Sequence, residues 1–135
     1  MGIEIHPVFV RGAGEFEGAF ATIAKSQPEA LIVQPLFTEY ARRIAEFATR
    51  YRLPTISDNP DFAADGGLMT YGTNRLDLCR QVASYVDRIL KGAKPADLPV
   101  QQPTKFELVI NAKTARAIGL AVPQSLAARA DRIID

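Results

Sequence analysis

Two short apolar runs, "ALIVQP" at residues 30–35 and "LPTIS" at 53–57, flank one amphipathic stretch, "FTEYARRIAEFATRYR". This alternation constrains the fold more than any other feature. A brief continuous apolar run bounded by breakers marks a strand covered on both faces, the situation of a parallel sheet. Between the runs, Tyr40, Ala41, Ile44, Phe47, Ala48 and Tyr51 fall on one helical stripe. Upstream, "IEIHPVFV" alternates Ile3, Ile5, Val8 and Val10 with the period of a strand, and Pro7, which has no N–H, argues for an edge position. Phe16, Ala19, Phe20 and Ile23 then repeat at helical spacing until Pro28. Downstream, "LMTYG" reads as a further strand. "RLDLCRQVASYVDRILKG" is the clearest helix, with Leu76, Cys79, Val82, Ala83, Val86 and Leu90 aligned and Gly92 at the C-cap position. Strands alternating with helices imply βαβ units. The fold class expected is α/β: a three-layer, open, mainly parallel sheet with helices on both faces.

The last third adds a separate group of elements. "KPADLPVQQP" holds Pro95, Pro99 and Pro103 and reads as an extended connector. Pro103 biases its predecessor toward extended geometry, and "FELVI" supplies strand formers. Asn111 suits the N-cap of a helix over "AKTARAI", and Gly119 its left-handed end. Pro123 suits the first turn of a final helix, "QSLAARADRIID", with Leu126, Ala130 and Ile133 as its stripe. The 135 residues are read as a single α/β domain: a core over 1–92, a connector over 93–103, and a terminal strand with two helices over 104–135.

Composition narrows the function. Sixteen basic and fifteen acidic residues leave a net charge of +1, with no Lys/Arg cluster, so nucleic acid is not an expected partner. One cysteine and one histidine nearly exclude a zinc site built from nitrogen and sulfur, and no metal or other cofactor is expected. Cys79, placed on the helical stripe, is expected to be a buried packing residue. No apolar run approaches a membrane span, and the first ten residues lack the pattern of a signal peptide.

Several residues invite chemistry. Gly12, Gly14 and Gly18 follow a strand, but their spacing departs from the dinucleotide fingerprint and no P-loop Lys-Ser/Thr follows, so a flexible turn is the reading. His6 has no nucleophile motif beside it. Asp58, Asp61 and Asp65 lie in a loop after a strand, where open α/β sheets bind ligands, and suit catalysis, a hard cation or ordinary turns, with turns favoured. No catalytic residue is assigned. The expected ligand-binding set is Gln34, Phe37 and Thr38 after one strand, Ser57, Asp58 and Asn59 after the next, and Tyr71, with Thr70 beside it. In a parallel sheet these strand ends share one rim. Amide, hydroxyl and carboxylate groups beside an aromatic ring suit a small polar or zwitterionic molecule.

The runs "YVDRILKGAKPADLPVQQPTKFELVIN" and "TARAIGLAVPQSLAARAD" closely resemble the C-terminal portion of ABC transporter substrate-binding proteins, the family that includes tryptophan- and tyrosine-type receptors. "EALIVQP" and "LPTIS" also fit, so the resemblance covers essentially the whole chain. It implies a type I periplasmic binding protein with two α/β lobes around a hinge. It further implies binding without catalysis of a small polar or amino-acid-like solute, delivery to an ABC permease, and a periplasmic or extracytoplasmic location. The chain would then be most of the C-terminal lobe, lacking a leader, the N-terminal lobe, and the first strand and helix of its own lobe. A product made without a leader would be cytoplasmic. Pro35, Leu36 and Phe37 stand where some aromatic amino-acid receptors carry a Thr-Asp-Asn type turn, so no solute is named. Two alternatives stay open. One is a lone lobe that binds no solute and forms a homodimer through uncovered apolar surface. The other is an intracellular flavodoxin-like enzyme.

Overall fold

The structure, a computed structural model, describes residues 2–135. Five strands form one sheet in the order β1 (Leu31–Val33), β2 (Thr55–Ser57), β3 (Met69–Thr73), β4 (Phe106–Asn111) and β5 (Arg132–Ile134). Every neighbouring pair is parallel except β3–β4. The helices are α1 (Phe16–Ser26), α2 (Ala41–Arg50), α3 (Arg75–Leu90), α4 (Ala112–Ile118) and the single turn α5 (Gln124–Ala127). The mainly parallel α/β sheet is the one expected.

Register decides which side chains share a face. Leu31 and Val33, with Thr55 and Ser57 opposite, point to one side. There Val33 joins Phe16 of α1, Ala41, Ile44 and Ala45 of α2, and Phe62 in the main core. Phe20 of α1 stacks on Phe47 of α2 at 4.2 Å between ring centroids, a pairing that adds to the burial of both rings. A second cluster joins Leu68 to Ala115 and Ile118 of α4. The opposite side of β1 is bare: Ile32 is 69% exposed.

The caps formed as read. Asn111 accepts from the Thr114 N–H, Gly119 ends α4 at φ 76°, and Gly92, at φ 99°, follows α3. Asn111 also donates its side-chain amide to the Ala63 carbonyl at 2.8 Å, tying β4 to the loop after β2.

Four expectations are corrected. "IEIHPVFV" forms no strand: residues 2–11 carry no regular structure, and Ile3, Ile5 and Phe9 are exposed. A strand exists only as part of a ladder, and β1 lies at the sheet edge with no strand of the described residues beyond it. The α3 stripe is not core, since none of its sixteen residues is buried. Cys79, on that stripe, is exposed rather than packed. Finally, the terminal helix stops at Ala127 and Arg132–Ile134 forms β5, parallel to β4. Asp131 explains the switch. Its N–H donates to the Leu108 carbonyl at 2.9 Å and its carboxylate accepts from the Leu108 N–H at 2.8 Å, which ties the segment to the β4 edge.

Two buried threonines make opposite predictions. Thr55 Oγ1 accepts the Leu68 N–H at 2.8 Å, so Thr55→Val leaves a buried donor bare and is expected to cost about 1–3 kcal/mol. Thr70 Oγ1 is buried without a hydrogen-bond partner among the described residues, so Thr70→Val, nearly the same shape, is expected to be neutral or stabilising. Urea denaturation midpoints of the two variants check the contrast.

Candidate functional site

Because β1 and β2 are parallel, their C-terminal ends open on the same rim. After β1 the chain turns through a 3₁₀ segment, Pro35–Tyr40, which Pro35 starts with its fixed φ. Thr38 Oγ1 donates to the Pro35 carbonyl at 2.7 Å. After β2, Asn59 organises the loop. Its N–H donates to Ser57 Oγ at 3.2 Å, its side-chain carbonyl accepts the Asp61 N–H at 3.2 Å, and its amide reaches Thr38 Oγ1 at 3.3 Å. This last bond bridges the two strand ends. An open hollow of about 370 Å³ lies between them, lined by Pro35, Thr38, Asp58, Asn59, Pro60, Asp61 and Arg75.

Charge sets what the hollow can hold. Arg75, the first residue of α3, donates from Nη1 to Asp61 Oδ2 at 2.7 Å. Asp58 is exposed and makes no ion pair among the described residues. Two carboxylates against one guanidinium leave the hollow with an uncompensated negative charge. A second hollow, about 350 Å³, adjoins it through Pro60, Asp61 and Arg75 and adds Asn74, Glu107, Asp131 and Arg132. The three loop aspartates do not converge: Asp61 faces Arg75 and Asp65 lies 3.9 Å from Arg42. Among the described residues, no group of three or more His, Cys, Asp or Glu is placed to hold a metal ion.

The sequence-derived set divides cleanly. Thr38, Asp58 and Asn59 line the hollow, and Ser57 lies buried beneath it as the acceptor for Asn59. Phe37 turns inward instead and meets Phe16 edge-on at 5.6 Å. Gln34 is exposed and does not line the hollow. Tyr71 stacks on Phe106 at 5.7 Å, on the sheet side opposite Thr70 and Ser57. Thr70 is buried within β3. Arg75 was missed. The signal was available, because the residue that opens a helix after the third strand also stands at the rim of a parallel sheet. His6 lies in the exposed N-terminal segment, 3.4 Å from Glu4, and takes no part in the hollow.

A model of the family described as ABC transporter substrate binding protein matches residues 1–134. The chain belongs to this family. Among solved structures, a conserved domain protein from Vibrio cholerae O1 biovar El Tor superposes with a TM-score of 0.80 at 23% identity, covering 89% of this chain and 41% of that one. An ABC domain in complex with L-Trp from Streptococcus pneumonia gives 0.78 at 24% identity, with 90% and 42% covered. A ligand-free, open substrate-binding protein with adhesive properties from Clostridium difficile gives 0.69 at 18%, with 93% and 42% covered. At these identities the likeness establishes the fold. The chain spans about two-fifths of the length of these proteins. No curated protein matches it.

Gly72 holds the rim in place. A Cβ there would stand 2.2 Å from the Asp58 backbone carbonyl, and backbone has little freedom to retreat. Gly72→Ala is therefore expected to push the Asp58 turn away and cost about 1–3 kcal/mol. Thermal denaturation checks the cost; an unchanged midpoint would contradict the close approach.

Proposed function

We propose that the chain is the C-terminal lobe of the solute-binding receptor of an ABC importer, and that its rim holds a small polar or amino-acid-like solute without chemistry. One observation carries the reading: Thr38, Asp58, Asn59, Asp61 and Arg75 converge on one open hollow at the carboxyl ends of β1 and β2. The place is where open α/β sheets take ligands. The charge inventory suits a zwitterion, with its ammonium beside Asp58 and its carboxylate drawn to Arg75. In this reading the remainder of a longer receptor supplies the other wall of the cleft. An ABC permease is the partner and the location is extracytoplasmic.

A second reading concerns assembly. The exposed apolar stripe of α3 supports a homodimer of this chain, because such patches seek a partner. It competes with the first reading only if the dimer leaves the rim without a solute.

Thermal melting against a panel of free amino acids at millimolar concentration tests the first reading. A binding solute raises the midpoint by linkage. Asp58→Asn keeps the shape and removes the charge, and is expected to weaken that solute about tenfold. Unchanged binding by Asp58→Asn would overturn the assignment of the rim.

A further inference from the structure

Hydrogen bonds within the rim have already taken most of its donors. Thr38 has one hydroxyl proton, and it goes to the Pro35 carbonyl at 2.7 Å. The oxygen of that hydroxyl receives the Asn59 side-chain amide at 3.3 Å. Asn59 is fixed in this orientation, because its side-chain carbonyl holds the Asp61 N–H at 3.2 Å. Arg75 Nη1 donates to Asp61 Oδ2 at 2.7 Å. Acceptors are what remain. They are both oxygens of Asp58, which is exposed and unpaired among the described residues, the second oxygen of Asp61, and a lone pair on Thr38.

Charge points the same way. Asp58 and Asp61 stand against Arg75 alone, which leaves one negative charge in the hollow. The adjoining hollow adds Glu107 and Asp131 against Arg132, and so increases the surplus rather than offsetting it. No aromatic ring lines either hollow: Phe37 is turned against Phe16, and Tyr71 stacks on Phe106 across the sheet. Resting on the reading of the rim as a solute site, we infer that it selects a basic amino acid, one whose side chain ends in an ammonium or guanidinium group. The two charges of a plain zwitterion cancel and leave the surplus unbalanced, whereas one further cation balances it. Such a group also brings three or more N–H donors and no acceptor, the complement of the free acceptor face. An acidic solute meets like charge, and an aromatic one finds no ring here to stack on.

Calorimetric titration of the chain with matched solutes tests it. Arginine and citrulline share a shape and differ by one charge, as lysine and norleucine nearly do. Arginine and lysine are expected to bind about tenfold more tightly than their neutral partners at low salt. Raising the salt from about 0.05 to about 0.5 M is expected to shrink that ratio while changing the neutral partners little. Asp58→Asn, at an exposed position, removes the surplus charge. It is expected to bring the ratio close to one, with the thermal midpoint of the solute-free protein unchanged. Citrulline, norleucine or tryptophan binding as tightly as the basic solutes, with Asp58→Asn still weakening them, would overturn the class and leave the rim as a solute site. A basic preference that survives Asp58→Asn would overturn the rim charge as its source. No binding by any of these solutes at millimolar concentration, in a protein that stays folded, would overturn the rim and the class together.

Discussion

The antiparallel ladder between β3 and β4 positions both the rim and the exposed helix. It pairs Met69 through Thr73 with Ile110 back to Phe106. It is extended at one end by the Asn111 N–H to the Leu68 carbonyl at 2.8 Å, and at the other by the Asn74 N–H to the Lys105 carbonyl at 3.0 Å. The second of these bonds closes the ladder at the point where residues 75–104 leave and return. Helix α3 is therefore held as an excursion from the sheet. On its other edge β3 lies against β2, which brings Gly72 up to the Asp58 carbonyl and closes the rim. A single ladder thus sets the geometry of the hollow and turns an apolar helix face away from the core.

Local signals in the sequence were read correctly wherever they act locally. Asn111 and Gly119 cap α4 because a short polar side chain and a missing Cβ do so in almost any surroundings. The strands at Leu31–Val33 and Thr55–Ser57 follow from apolar runs too short for helices. What failed depends on partners. The alternation over residues 3–10 says which face would be buried beside a neighbour, and no described strand lies beside it. The stripe on α3 says that a face is apolar, and leaves open what covers it. The strand Arg132–Ile134 arises from tertiary pairing, through Asp131 and Leu108, over a helical pattern too weak to resist.

The candidate site was legible in the same measure. Strand ends in a parallel sheet are predictable as a place, so Thr38, Asp58 and Asn59 emerged from the order of elements. Side-chain direction was not predictable. Phe37 goes to the aromatic cluster around Phe16, and Tyr71 to the far side of the sheet. Arg75 enters the rim only because β3 ends beside the loop after β2, a fact of packing.

An open hollow with one unbalanced carboxylate should bind weakly and in one place, which calls for a readout that reports position as well as affinity. Backbone amide shifts in two-dimensional NMR, followed while titrating zwitterionic amino acids, provide it. Fast-exchange shifts are expected only at residues 36–38, 58, 59, 61 and 75, Pro35 and Pro60 having no amide proton. Shifts centred elsewhere on the sheet, or none with any solute while the protein stays folded, would contradict it.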